Sequence, residues 1–165
     1  MNKPSTLSTL LATLPQHGSL RWIGLRPARR TDMHEVDKVS VCPVKGLEGD
    51  RYAGRSGKRQ VTLLQSEHLL TLAALLPRQE IHPQLLRRNL IVSGINLLAL
   101  KNRQFTIGDE QTGATFEYTG LCHPCSRMEE TFGPGGYNAV RGHGGITARV
   151  IRAGEIALGD HVIAI

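Results

Sequence analysis

Short alternating segments that end in Gly-Asp occur twice in this chain, at 105–109 (Phe-Thr-Ile-Gly-Asp) and 156–160 (Ile-Ala-Leu-Gly-Asp). Each pattern predicts a β-strand followed by a tight turn, because glycine and aspartate supply the backbone conformations that turns require. Two such corners in a chain of short strands favour a small, closed or partly closed β-barrel with helices packed outside it. A doubly wound sheet would need regular alternation of strands and helices, which only the middle of the chain shows. The predicted fold class is therefore mainly β with some α.

The remaining periodicity supports this class, because predicted strands outnumber predicted helices. Runs with β-branched or aromatic residues predict strands at 20–25, 38–44, 59–65, 90–92, 97–100, 104–107, 115–118, 146–151 and 161–165. Helical spacing or helix-start signals predict short helices at 7–14, 66–76 with Ser66 as N-cap, 83–88 and 126–132. The glycine-rich segment 45–54 predicts an irregular, functional loop.

Length and composition predict one globular domain. The chain has 165 residues, 40% of them hydrophobic and 21% charged, and it contains no apolar run of about 18 residues. We expect a helical extension over 1–18 and the barrel domain over 19–165. The first 18 residues lack the pattern of a secretory signal, and an odd number of cysteines (three) fits a reducing compartment. These features predict a cytoplasmic protein with no membrane partner.

The net charge of +6 has two interpretations. The basic residues occur as scattered pairs and triplets, and aromatic residues make up only 4% of the chain, so a nucleic-acid partner is not expected. A compact anionic ligand such as a phosphorylated cofactor needs only a few converging cations. A solvated basic surface explains the same charge, and both interpretations stay open.

The segment 120–149 is the strongest candidate for a site. It contains Cys122-His123-Pro124-Cys125, several cations and six glycines between 133 and 145. A C-x-x-C pair fits a thiol-disulfide enzyme, a zinc site or two buried thiols, although the β-rich surroundings disfavour a thioredoxin-like fold and zinc would need two more ligands. Cys125 is the better nucleophile or metal ligand, because Arg127 and the start of the predicted helix would both stabilise its thiolate.

Other candidates have both a structural and a functional interpretation. The glycines at 133–136 and 142–145 fit either a phosphate-binding loop or tight barrel corners, and neither segment matches a nucleotide-binding fingerprint. His143 lies between glycines and is the histidine most expected to face a ligand. Arg88 either stabilises a helix C-terminus or turns into the barrel mouth to bind a phosphate.

Several motifs together resemble one known family, the MOSC domain, named for the C-terminal domain of molybdenum cofactor sulfurases. The resemblance covers about residues 20 to 165 in the expected order. It rests on 46–51 (Gly-Leu-Glu-Gly-Asp-Arg), 59–64 (Arg-Gln-Val-Thr-Leu-Leu), 88–94 (Arg-Asn-Leu-Ile-Val-Ser-Gly), 122–125 (Cys-His-Pro-Cys) and 154–160 (Gly-Glu-Ile-Ala-Leu-Gly-Asp).

The resemblance implies a barrel-like fold that binds the molybdenum cofactor, a pterin that carries a phosphate and a dithiolene. It implies that Cys125 ligates molybdenum or carries sulfur, and that Arg59, Arg88 and Asn89 contribute to the cofactor pocket. Arg59, Arg88 and Asn89 form the predicted cofactor-binding set together with Arg127 and His143. The sulfurases bind pyridoxal phosphate through a separate desulfurase domain, for which we expect this chain to have no room.

Three hypotheses follow. In the first, the chain is a molybdenum-dependent reductase of N-hydroxylated small molecules, with Cys125 as catalytic metal ligand and a separate reductase as electron donor. In the second, Cys125 holds a persulfide received from a desulfurase and passes the sulfur on. In the third, the barrel is a non-catalytic module that binds a cofactor or a partner. Cys122 either resolves a persulfide or packs in the interior.

Overall fold

The strands of the chain close into a barrel. The structure is a computed structural model that describes residues 6–52 and 54–165. Within these residues the strands are β1 (Gly18–Leu25), β2 (His34–Glu35), β3 (Lys38–Cys42), β4 (Gly46–Leu47), β5 (Val61–Gln65), β6 (Leu90–Ser93), β7 (Gln104–Ile107), β8 (Ala114–Leu121), β9 (Ile146–Arg152), β10 (Gly154–Ala157) and β11 (His161–Ala164). The helices are α1 (Thr6–Ala12), α2 (Ser66–Leu75), α3 (Pro83–Leu86), a 3₁₀-helix (Leu97–Leu100), α4 (Ser126–Phe132) and α5 (Gly136–Val140).

Seven strands form the ring. They are hydrogen-bonded in the order β11, β7, β8, β9, β5, β6 and β1, and β1 pairs again with β11 to close it. The ring pairs are antiparallel except β5 with β6, where Leu63 lies opposite Leu90 in parallel register. A parallel pair requires a crossover connection, and α2 and α3 provide it. β2 extends from β1, and a separate three-stranded sheet has the order β10, β3, β4. The predicted mixed fold with a closed barrel is confirmed.

Two apolar cores hold the barrel and its helices together. The barrel interior includes Leu20, Leu63, Phe105 and Phe116, all fully buried, and the two phenylalanine rings stack with centroids 5.5 Å apart. The second core lies against the outside of the barrel and is formed by Trp22, Met33, Leu64, Leu72, Ala73, Ile81, Leu86, Ile91, Met128 and Val140. Because β5 contributes to both cores, its run of four residues from Val61 to Leu64 is entirely buried. Each fully buried large apolar side chain contributes about 1.5–3 kcal/mol to folding.

The helix predictions are largely confirmed, with one wrong cap. α4 spans Ser126–Phe132 as predicted, and α1, α2 and α3 lie within a few residues of their predicted ranges. The N-cap of α2 is Gln65 rather than Ser66, and no side chain caps the helix. The amide oxygen of Gln65 instead accepts a hydrogen bond from the Leu97 backbone N–H at 2.9 Å.

The strand predicted at 97–100 is wrong, because this segment is a 3₁₀-helix. Its apolar side chains follow a period of three, with Leu97 and Leu100 buried and Leu98 exposed. Asn96 begins the turn, and its side-chain oxygen accepts a hydrogen bond from the Leu98 N–H at 3.1 Å. Local capping by asparagine therefore competes successfully with strand formation.

The two glycine-rich segments are more regular than predicted. α5 occupies 136–140, mostly between the two glycine clusters at 133–136 and 142–145, and the Glu129 carboxylate joins it to α4 by accepting hydrogen bonds from the N–H groups of Gly135 and Tyr137, both at 2.8 Å. In 45–54, Gly46 and Leu47 pair with β3. The φ of Gly46 is +77°, a conformation that favours glycine.

The described residues before β1, from Thr6 to His17, are not part of the ring. The side chains of α1 are exposed, Leu14 packs against the barrel core, and β1 begins at Gly18. The division into an extension over 1–18 and a domain over 19–165 remains a prediction. None of the helices in the described ranges is long and apolar enough to span a membrane.

Candidate functional site

An open cleft of about 650 Å³ brings together segments that are far apart in the sequence. Its lining residues lie mainly in the segment after β1, in the segments that lead into β5 and β6, and in the segment from the end of β8 into α4. Cys125, Arg59, Arg88 and Arg127 all line it, so four of the six predicted site residues share one cavity. Asn89 and His143 lie elsewhere.

The two cysteines of the C-x-x-C pair differ in access. Cys125 is exposed and immediately precedes α4, and its backbone carbonyl accepts a hydrogen bond from the Met128 N–H at 2.9 Å. Cys122 also lines the cleft but is only 4% exposed, and its backbone N–H donates to the Gly145 carbonyl at 2.8 Å. A molecule in the cleft therefore reaches the Cys125 thiol far more easily than the Cys122 thiol.

The cleft is strongly basic. Its described lining contains no carboxylate and eight arginines: Arg26, Arg29, Arg30, Arg51, Arg59, Arg87, Arg88 and Arg127. Within the described chain, two of these pair with a carboxylate: Arg26 with Asp50 at 2.8 Å, and Arg30 with exposed Glu130 at 3.6 Å. Guanidinium groups bind phosphate and carboxylate through paired N–H donors. The cleft therefore suits a strongly anionic ligand.

Arg88 is the most buried of these cations, with 7% exposure. Its Nε donates to the Gly144 carbonyl and its Nη1 to the Leu86 carbonyl, both at 2.7 Å, and its Nη2 donates to the Cys122 carbonyl at 3.4 Å. Burial lowers the pKa of Arg88, and the nearby thiols of Cys122 and Cys125 act in the opposite direction. The backbone carbonyls fix this guanidinium without neutralising it, so an anion in the cleft meets a positioned, uncompensated charge.

Asn89 lies beneath the cleft rather than in its lining and is fully buried. Its Oδ1 accepts hydrogen bonds from the Thr62 N–H, the Thr62 hydroxyl and Arg26 Nη2, and its Nδ2 donates to the Gly24 carbonyl and to Asp50 Oδ1, all at 3.0–3.1 Å. Asp50 in turn accepts from Nε and Nη2 of Arg26. The structure therefore gives Asn89 contacts that position Arg26, and Asp50 pairs with Arg26 rather than with its neighbour Arg51.

His143 packs against His68 outside the cleft lining. The two rings meet edge to face with centroids 5.1 Å apart, and the Nδ1 atoms of both are buried without a hydrogen-bond partner among the described residues. Burial lowers the pKa of His68, and His143 lowers it further. The role of His143 in cofactor binding remains a prediction, and no contact described for it reaches the cleft.

Five of the cleft arginines were not predicted as site residues: Arg26, Arg29, Arg30, Arg51 and Arg87. The first three belong to the scattered basic residues whose charge had two open interpretations, and Arg51 lies in the segment 45–54 that was predicted to be a functional loop. They come from the segment after β1, from the loop after β4 and from the end of α3, and only the closed barrel brings these together. Arg87 carries the clearest local signal, because it lies next to the predicted pocket residue Arg88.

The described residues contain no group of three His, Cys, Asp or Glu side chains placed to hold a metal ion. Cys125 lies among guanidinium groups, and the side chains around it offer cations for an anionic group.

A family model described as the MOSC domain matches residues 31–163. The chain belongs to the MOSC domain family. The resemblance inferred from the five motifs is thus confirmed over most of its length. No curated protein matches this MOSC protein significantly.

Solved structures show the same fold. The YuaD protein from Bacillus subtilis matches with a TM-score of 0.77 at 19% identity, covering 92% of this chain and 98% of its own. YiiM from Escherichia coli matches with a TM-score of 0.69 at 19% identity, covering 92% of this chain and 70% of its own. YiiM from Geobacillus stearothermophilus matches with a TM-score of 0.68 at 16% identity, covering 90% and 75%. At these identities the comparison establishes the MOSC fold, and the cleft residues must be judged on their own chemistry.

Proposed function

We propose that this MOSC protein binds the molybdenum cofactor in its arginine-lined cleft, with Cys125 as the protein ligand of molybdenum, and reduces N-hydroxylated compounds. The observation that carries the proposal is an exposed thiol in a cleft with eight arginines and no carboxylate in its described lining.

The residues present fit this cofactor in two respects. A thiolate is a ligand that suits soft metals, and Cys125 is exposed to the cleft. The pterin carries a phosphate, and Arg59 and Arg88 line the same cleft as the thiol. The backbone carbonyls that hold Arg88 place its charge before any ligand arrives, which reduces the entropic cost of binding.

Each group in the cleft then has a distinct task. Cys125 holds the metal, Arg88 and Arg59 neutralise the phosphate, and Asn89 with Asp50 keeps the Arg26 head in place. When bound, the cofactor would supply two-electron chemistry in which the N–O bond of the substrate is broken and, with two electrons and two protons, the oxygen leaves as water. Those electrons must come from a donor, and we propose a separate reductase protein as the partner.

The decisive experiment is metal analysis combined with activity. The wild-type chain, purified from a host that makes the cofactor, is expected to contain molybdenum and to reduce an N-hydroxylated compound with a chemical electron donor. Cys125→Ala is expected to lose the activity. Cys42→Ala is the matched control, because Cys42 lies on β3 and does not line the cleft. A wild-type chain without molybdenum, or a Cys125→Ala chain with full activity, would overturn the proposal.

The second candidate is a sulfur carrier, which the same exposure of Cys125 favours because a desulfurase must reach the thiol directly. Incubation with a cysteine desulfurase would then produce a single-sulfur adduct on Cys125, detected by mass spectrometry and missing from Cys125→Ala. Bound cofactor with neither activity nor an adduct would instead favour the non-catalytic binding module.

A further inference from the structure

The cleft carries more positive charge than one phosphate group requires. Six of its eight arginines have no carboxylate partner within the described chain: Arg29, Arg51, Arg59, Arg87, Arg88 and Arg127. A phosphate monoester carries a charge of about −1.5 to −2 near neutral pH. Like charges gathered in one cavity repel each other, so an anion beyond the cofactor phosphate would stabilise this arrangement.

Arg87 and Arg88 interact with different sets of charged neighbours. Arg88 lies close to the two thiols and to Arg26 and Arg59, which marks the part of the cleft where the proposed cofactor binds. Burial lowers the pKa of Arg87, and the nearby cations Arg127, Arg26 and Arg51 lower it further, in that order, while Asp50 raises it. Arg26 therefore acts on both arginines.

Arg87 also has an unusual backbone conformation. Arg87 has φ +55° and ψ 32°, the left-handed conformation, at the end of α3. This conformation costs about 1–2 kcal/mol for a residue with a side chain, and helices usually place glycine or asparagine there. An arginine kept in such a conformation is a common sign of a functional constraint. The Nη1 of Arg87 donates to the Thr31 carbonyl at 2.6 Å, whereas Arg88 is bound to the carbonyls of Gly144 and Leu86. Consecutive arginines thus serve different parts of the cleft.

A small cavity of about 120 Å³ shares two lining residues with the cleft. Arg87 and Arg127 line both the cleft and this cavity, together with Asp32, Met33, Gln84, Leu85 and Thr131 in the cavity alone. The two arginines therefore stand where the two spaces meet, with Arg51 on the cleft side.

We infer that Arg51, Arg87 and Arg127 form a second anion-binding subsite, which binds a phosphate group other than the single phosphate of the pterin. This inference rests on the proposed function, because it assumes that the cofactor occupies the Arg59 and Arg88 part of the cleft. The second phosphate belongs either to a phosphorylated substrate or to a nucleotide extension of the cofactor itself.

The test titrates the molybdenum-containing protein with inorganic phosphate by calorimetry, after the released cofactor has been identified by mass spectrometry. Arg87→Asn removes the guanidinium and retains a residue that tolerates the left-handed backbone, so the variant is expected to fold. Arg51→Gln removes a charge from an exposed loop position. Arg21→Gln is the charge-matched control, since Arg21 is exposed on β1 and its Nε donates to the Ser93 hydroxyl away from the cleft lining.

If the cofactor carries one phosphate, we expect one phosphate ion per molybdenum-containing chain. Arg87→Asn and Arg51→Gln should each raise the Kd for phosphate about 10-fold or more, as loss of a charge-assisted hydrogen bond predicts. The control Arg21→Gln should change this Kd less than about 2-fold. A substrate source is then supported if a phosphorylated N-hydroxylated compound has a lower KM than its unphosphorylated form and Arg87→Asn removes the difference. If the released cofactor carries a nucleotide, the cofactor is the source, and Arg87→Asn should lower the fraction of chains that retain it.

If the protein contains molybdenum but neither substitution changes its phosphate affinity or the form of its cofactor, the second subsite is refuted and the proposed function stands. A protein without molybdenum that still binds phosphate in an Arg87-dependent way refutes the proposed function and leaves the subsite standing.

Discussion

Replacing Asn89 by alanine tests whether this residue acts through the buried network or through a ligand. The substitution removes the hydrogen-bond partner of two backbone groups, the Thr62 N–H and the Gly24 carbonyl, and one of the partners of the Thr62 hydroxyl. Each buried polar group left unsatisfied costs about 1–3 kcal/mol. Arg26 and Asp50 keep their mutual ion pair. We therefore expect the free energy of unfolding to fall by about 3 kcal/mol. This value is toward the low end of the summed cost of the unsatisfied groups, because a water molecule can enter the space left by the side chain.

A loss of this size corresponds to a decrease in Tm of roughly 6–12 °C for a domain of this length. The assay is thermal unfolding of the metal-free protein, followed by circular dichroism, so that cofactor binding does not contribute. Asn138→Ala is the matched control, because Asn138 is exposed on α5, where its side chain accepts only a long 3.4 Å hydrogen bond from Arg141. Asn89→Asp should be at least as destabilising as Asn89→Ala, since it places a second carboxylate beside Asp50. A Tm for Asn89→Ala within about 2 °C of the wild type would refute this account.

Two further predictions concern Gly145, in the segment that follows α5, and His68 on α2. Gly145 has φ +84°, and a Cβ there would overlap the Leu63 carbonyl, so Gly145→Ala should lower the free energy of unfolding in urea by about 3 kcal/mol or more. Gly142 has a similar φ of +83° but open space around it, so Gly142→Ala should cost only about 1 kcal/mol. Equal losses for the two variants would contradict the steric argument. Burial lowers the pKa of His68 below its ordinary 6.5. As the pH drops below about 6.5, His68 therefore binds a proton more readily in the unfolded chain than in the folded chain, and the free energy of unfolding should fall. His68→Gln should flatten this part of the curve measured by urea unfolding against pH, and an unchanged slope would show that His68 is not the source.

Much of the fold could be predicted from local patterns. The strand at 104–107 and the helix at 126–132 match their predicted bounds, because alternation and helical spacing are properties of neighbouring residues. The segment 97–100 was misassigned because a short leucine-rich run fits either a strand or a helical turn, and the cap from Asn96 with the contact from Gln65 decides between them.

The candidate site was only partly predictable. Cys125 could be chosen because its neighbours in sequence include a cation and a helix start. Asn89 was assigned to the cofactor pocket through the family motif, yet its five hydrogen bonds go to strands β1 and β5 and to the Arg26 and Asp50 pair beneath the cleft. No pattern within a few residues distinguishes a side chain that faces a ligand from one that supports another side chain.

Motif order and short-range periodicity were enough to predict the MOSC family and the barrel class and to choose Cys125 as the candidate site thiol. The folded structure was needed to show that eight arginines from distant segments line one cavity, that Cys122 is buried while Cys125 is exposed, and that Arg87 and Arg88 donate to different backbone carbonyls. Charge density and exposure depend on which segments the ring of strands brings together: β1 pairs with β11 from the opposite end of the chain and with β6 from its middle.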